Sequence, residues 1–119
     1  MQIKLFDSEL KIMEILWTKG DLNAGQIAQI LKDEVGWKRN TTYTVIKKCV
    51  DKGAIERSDP KFHCHALISR EEAQNYETDE LIDKMFDGSK QKFFSAFLSE
   101  KTLTSEEITQ LKDLVNKLK

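Results

Sequence analysis

Two stretches of this chain carry side chains whose types and spacing could do chemistry. The first is Lys38-Arg39-Asn40-Thr41, continued by Tyr43, Thr44, Lys47 and Lys48. An asparagine can make paired hydrogen bonds to an adenine edge, and a threonine can bond a base or lay its methyl against that of thymine. Lysine and arginine neutralise phosphates, and each phosphate neutralised on B-DNA steepens the log–log salt dependence by about 0.9. Arg57 and Lys61 add two cations at or beside a turn around Asp59-Pro60. Base contacts set sequence preference and phosphate contacts set position, so this inventory suits DNA. The same mixture also decorates the solvated face of an ordinary helix, and the basic-tipped turn that follows tips the balance towards DNA.

The second stretch is His63-Cys64-His65. In an extended chain neighbours point to opposite faces, so His63 and His65 could share a metal while Cys64 points away. Cys49 is the only other thiol, and two cysteines do not make a zinc site. A buried cysteine between two polar residues is the favoured reading, so no metal or cofactor is assigned, and a metal-responsive repressor that uses His63 and His65 is kept as an alternative. Enzyme chemistry is disfavoured. The chain has no glycine-rich phosphate loop, no HExxH and no nucleophile in a recognisable setting. Asp51, Glu56 and Asp59 are too scattered for a nuclease centre, while Glu71, Glu72, Glu106 and Glu107 fall in helix first turns, where carboxylates offset the dipole.

The elements that must position these residues follow from apolar spacing. Phe6, Leu10, Met13, Leu16 and Trp17 recur at helical intervals; Asp7 or Ser8 is expected to cap this helix and Gly20 to close it. Asn23 and Gln26 make a capping box for a second helix, which carries Ala24, Ile27, Ala28 and Leu31 and ends near Gly36. A third helix runs from about Lys38–Asn40 to Lys52, stopped by Gly53. Thr42, Val45, Ile46, Cys49 and Val50 form its core side; Asn40, Thr44, Lys47 and Asp51 lie opposite, flanked by Thr41, Tyr43 and Lys48. The runs 54–57 and 62–68 flank the Asp-Pro turn as a hairpin. Three helices and a hairpin within residues 1–68 predict a winged helix-turn-helix domain, so the fold class is mainly α with a small β-hairpin wing.

Residues 69–119 read as three short helices. Ser69 and Glu72 form one capping box, and Thr104 and Glu107 another. The apolar stripes are Leu81, Ile82, Met85 and Phe86; then Phe93, Phe94, Phe97 and Leu98; then Ile108, Leu111, Leu114, Val115 and Leu118. So short a segment has little room for its own core. A second copy of the chain is the simplest cover, making 69–119 a helical dimerisation segment.

Bulk properties agree with a small regulator. The 119 residues carry a net charge of −1, but residues 36–61 hold seven basic against three acidic side chains. A local basic footprint is what DNA requires. The acidic average and the apolar C-terminal half keep a second reading open, a winged-helix protein-interaction module. Two cysteines without a disulfide framework fit a reducing compartment. The start lacks a signal-peptide layout, and no apolar run approaches the ~20 residues of a membrane span. A cytoplasmic protein is expected.

The run Gly36-Trp37-Lys38-Arg39-Asn40-Thr41-Thr42-Tyr43-Thr44-Val45-Ile46-Lys47-Lys48, followed by Asp51-Lys52-Gly53-Ala54-Ile55, resembles the penicillinase and methicillin-resistance repressor family (BlaI/MecI type). The resemblance extends through Leu67 to Glu72, Phe86 to Ser89 and Leu103 to Ile108. It implies a homodimeric winged-helix repressor on an inverted-repeat operator. By position, Asn40, Thr41, Tyr43 and Thr44 match the base-facing stretch, and Lys47 and Lys48 the later polar positions. Better-known members often have Ser-Pro where this chain has Lys38-Arg39. A membrane sensor-protease is a further candidate partner, since some members are cleaved at an Asn-Phe bond. Here that position is Ala96-Phe97, a departure that speaks against cleavage and against a β-lactam signal. Copper-responsive relatives carry a C-terminal cysteine cluster, and this chain has no cysteine after Cys64.

Overall fold

A computed structural model describes residues 3–100 and 102–118. The elements are α1 (Asp7–Lys19), β1 (Leu22–Asn23), α2 (Ala24–Val35), α3 (Arg39–Asp51), β2 (Ile55–Ser58), β3 (His63–Ala66), α4 (Arg70–Met85), α5 (Lys90–Glu100) and α6 (Ser105–Asn116). The chain divides into two compact units, Met1–Thr78 and Asp79–Lys119, with the division inside α4.

In the first unit the helical stripes meet in one core. Ile12, Met13 and Leu16 of α1 pack with Ile27 and Leu31 of α2, with Val45, Ile46 and Cys49 of α3, and with Ile55 and Cys64 of the sheet. Helix ends are closed locally. Asn23 Oδ1 accepts from Gln26 N–H and Gln26 Oε1 from Asn23 N–H, both at 2.9 Å. Gly36 sits in the left-handed region at φ 76°, ψ 20°, and its N–H returns to the last turn of α2, a position glycine fills without a Cβ penalty.

The start of α1 departs from expectation. The cap is Phe6, not Asp7 or Ser8. The physical reason is Glu9, whose Oε1 accepts the Phe6 N–H at 2.7 Å and so secures the first turn without a capping hydroxyl or carboxylate at the N-cap. The hairpin also gains a third strand. The sheet order is β1-β3-β2, all antiparallel, with Leu22 opposite Cys64 and Asn23 opposite His63. Two residues are too few to show an alternating pattern, so β1 leaves no signal in the sequence.

In the second unit Phe93 gathers the aromatics: its ring lies 5.5 Å from Phe86, 5.2 Å from Phe94 and 6.2 Å from Phe97. Thr104 and Glu107 form the capping box that opens α6. Ile82 is the one described residue of this unit that is buried. Phe86, Phe93 and Leu111 are half-buried. Leu81, Met85, Phe94, Phe97, Leu98, Ile108, Val115 and Leu118 are exposed. An open apolar groove is lined by Leu98, Leu103, Ile108, Leu111 and Val115.

Candidate nucleic-acid interface

Helix α3 is pinned by its buried side, where Thr42, Val45, Ile46 and Cys49 enter the core. The helical period therefore sends Asn40, Thr41, Thr44, Lys47 and Lys48 outward, and all five are exposed. Lys38 is the N-cap and is exposed, as is Arg39. Thr44 Oγ1 donates to the Asn40 carbonyl at 2.9 Å, which holds its side chain against the preceding turn.

Tyr43 is placed differently from its neighbours. It is half-buried between Arg39 and Phe62. Arg39 Nη2 donates to its hydroxyl at 2.8 Å, and the guanidinium lies 5.0 Å from its ring centre. The Phe62 ring meets it edge-on at 5.8 Å. A Cβ added at Gly25 would come within 3.5 Å of Arg39 Nη2 and 3.8 Å of Tyr43 Oη, so α2 presents bare backbone where the α3 side chains cross it. On the wing, Arg57 and Lys61 are exposed. The Arg57 guanidinium lies 3.7 Å over the Phe62 ring, and its Nη2 is 3.6 Å from Asp59. A shallow concavity between α3 and the wing is lined by Tyr43, Thr44, Lys47, Arg57 and Phe62. Phe62 is thus a member of the site that spacing did not reveal. Its one local signal is its place just past the turn, where its φ of 52° is unusual for a non-glycine residue.

The C-terminal end of α3 is fastened to α1 by an ion pair whose carboxylate is buried and whose ammonium is partly exposed. Lys52 Nζ is 2.6 Å from Glu9 Oε1 and donates to the Lys4 carbonyl at 2.9 Å. It also sits 4.3 Å over the Phe6 ring. The Thr42 hydroxyl, on the core side of α3, is buried without a hydrogen-bond partner.

The histidine pair faces solvent on one side of β3, and Cys64 points into the core. Asp21, just before β1, reaches both imidazoles: His65 Nδ1 lies 2.9 Å from Oδ1 and His63 Nε2 3.4 Å from Oδ2. Among the described residues no group of three His, Cys, Asp or Glu side chains is arranged to hold a metal ion. The hydrogen bond from His65 holds the Asp21 carboxyl below its ordinary value of 3.8, helped by His63 and opposed by desolvation. A depressed carboxylate contributes stability above its unfolded pKa and loses it as pH falls through the folded value. Asp21→Asn is therefore expected to lower thermal stability modestly at neutral pH and to flatten its loss below pH 3.8, so that the two proteins converge in acid, as melts across an acid series would read. Equal acid slopes in the two proteins would count against the clamp. Burial pushes the Cys49 thiol up to about 12, with the Glu9 charge adding to it, and burial pushes Cys64 up to about 11. Both thiols are protonated core residues.

A three-helix core, with a third helix that presents polar and cationic residues beside a cation-bearing hairpin, defines a winged helix-turn-helix protein. The chain belongs to the penicillinase repressor family, which matches residues 5–117. It is similar to the methicillin resistance regulatory protein MecI of Staphylococcus aureus strain N315, at 25% identity over 96% of this chain and 94% of that one. It is also similar to the penicillinase repressor of Bacillus licheniformis, at 20% identity over 98% and 92%. Among solved structures, the DNA-binding domain of the repressor BlaI superposes with a TM-score of 0.54 at 21% identity, over 59% of this chain and 88% of that chain. That likeness concerns the fold. Among the described residues no helix is long and apolar enough to cross a membrane.

Proposed function

We propose that this protein is a cytoplasmic, non-enzymatic repressor that binds an inverted-repeat operator as a homodimer. The observation that carries the reading is the exposed face of α3, where Asn40, Thr41, Thr44, Lys47 and Lys48 stand together on a helix whose other side is locked in the core. Family membership agrees with it. Asn40, Thr41, Tyr43 and Thr44 serve the base edges, Lys38, Arg39, Lys47 and Lys48 the flanking phosphates, and Arg57 and Lys61 the backbone met by the wing. Residues 69–119 supply the dimer through Leu81, Met85, Phe86, Phe93, Phe94, Phe97, Leu98, Ile108, Leu111, Val115 and Leu118, with Ile82 already buried within the single chain. Support comes from the second unit itself, the end of α4 with α5 and α6, which has a single buried described residue and many exposed apolar ones. Ala96-Phe97 lies inside α5, where a protease would first have to unwind the helix. With the family's asparagine absent, release by a signal other than cleavage at this bond is favoured.

Footprinting on the DNA upstream of the chain's own gene tests the reading. A protected inverted repeat is expected. Asn40→Ala and Thr44→Ala should each cost ~1–3 kcal/mol of specific binding while non-specific binding survives. Operator preference untouched by either change would show that other residues read the bases. Failure of the parent protein to bind any DNA would replace the repressor by a protein-interaction module.

A further inference from the structure

Four side chains make one continuous series of cation and ring contacts from α3 to the wing, in the order Arg39, Tyr43, Phe62, Arg57. Arg39 lies over Tyr43, Tyr43 meets Phe62 edge-on, and Arg57 lies over Phe62 at 3.7 Å. The two central rings are half-buried and the two terminal guanidiniums are exposed. A guanidinium laid flat on an aromatic face keeps its N–H donors in the plane, directed outward from its edge. At the wing end the Phe62 face orients the Arg57 guanidinium, and at the helix end Arg39 is held by the Tyr43 ring together with its Nη2 hydrogen bond to the Tyr43 hydroxyl. The rings are anchored in turn. The Phe62 carbonyl accepts the Ala24 N–H at 2.9 Å, where α2 begins, and the Phe62 backbone holds a left-handed φ of 52°. A bulky residue persists in that conformation only where its surroundings over-determine it.

We propose that the Tyr43–Phe62 pair is a rigid spacer that fixes where the Arg39 and Arg57 guanidiniums meet the DNA backbone, so that the wing contact is aimed from the recognition helix. Phe62 is then a positioning residue that touches no DNA itself. This rests on the DNA-binding reading. Without the ring, Arg57 keeps its charge but loses its direction, and Asp59, 3.6 Å away, holds it in competition with phosphate.

The full-length protein is titrated with a duplex of scrambled sequence over a salt series, because phosphate contacts do not depend on sequence. Arg57→Gln is expected to lower the log–log salt slope by about 0.9 per subunit. Phe62→Leu should lower it by a similar amount although no charge is lost, Phe62→Tyr should restore the parental slope, and Phe62→Leu added to Arg57→Gln should lower it no further. An NMR measurement independent of DNA accompanies these titrations. The Arg57 side-chain protons should be shifted upfield by the Phe62 ring in the parent and in Phe62→Tyr, and their absence of shift in the parent would overturn the stack even if Phe62→Leu failed to fold. A parental slope in folded Phe62→Leu, or additive losses in the double variant, would overturn the spacer and leave DNA binding standing. An Arg57→Gln slope equal to the parent's would remove the wing contact and the proposal with it. No DNA binding by the parent would remove both readings.

Discussion

Replacing Leu111 and Val115 together by aspartate is expected to yield a folded monomer that has lost tight operator binding. Both residues line the apolar groove of the second unit, with Leu111 half-buried and Val115 exposed. In the proposed homodimer they are covered by the partner copy. Two carboxylates placed there would have to be desolvated without cations to meet them, which an interface core does not tolerate. The first unit keeps its own core, which these residues do not enter. Its α3 face therefore survives in the monomer. What disappears is joint reading of two half-sites, which converts the second contact into an intramolecular event and is worth roughly 10²–10⁴-fold in affinity. Sedimentation and operator titration of the double variant check the two parts separately. A dimeric sedimentation profile would place the interface elsewhere, and a monomer with parental operator affinity would remove joint half-site reading.

Lys52→Met should be strongly damaging to the first unit. Glu9 is 1% exposed, and its carboxylate is held by the Lys52 ammonium and the Phe6 N–H. Taking away the cation leaves a buried charge with one neutral donor, and breaking such a pair from one side costs about 3–5 kcal/mol. Total stabilities are only about 5–15 kcal/mol, so the exchange should consume a large share of the margin and lower the melting temperature clearly. Glu9→Gln should be milder, about 1–2 kcal/mol, because the amide oxygen still serves Phe6 and the Lys52 side chain, 29% exposed, can reach water. The pair Glu9→Leu and Lys52→Met together should recover most of the loss, since a fitted apolar pair often matches a buried ion pair. Thermal melts of the three variants decide the matter. A Lys52→Met protein that melts with the parent would show that the pair contributes nothing, and a double variant as unstable as Lys52→Met would place the cost in lost packing. The consequence for function is positional. Lys52 is the C-cap of α3, so the pair fastens that end of the helix to α1 while Val45, Ile46 and Cys49 pin its middle.

Much of the site was legible because a helix imposes its own period. Once Thr42, Val45, Ile46 and Cys49 are assigned to the core, the outward position of Asn40, Thr44, Lys47 and Lys48 follows from 3.6 residues per turn. The capping boxes at Asn23, Ser69 and Thr104 were legible for a similar reason, because both partners lie within four residues of each other. The alternation of β3 placed Cys64 inward and both histidines outward by the same local logic.

What the sequence by itself determined, then, are the features whose cause spans a few residues: helix stripes, caps, strand faces and the basic stretch carried by α3. Only the tertiary structure decided which distant groups meet. Glu9 with Lys52 are 43 positions apart, Asp21 with His65 are 44, and Trp17 Nε1 reaches the Ile68 carbonyl across 51. Its place near the start of α3 and the family resemblance put Tyr43 among the base-facing residues, and only the tertiary structure brought its ring between Arg39 and Phe62. The physical reason is that an isolated charge or ring carries no record in its local pattern of the partner that will satisfy it. That partner is selected when the core closes and brings remote elements within hydrogen-bonding or stacking distance.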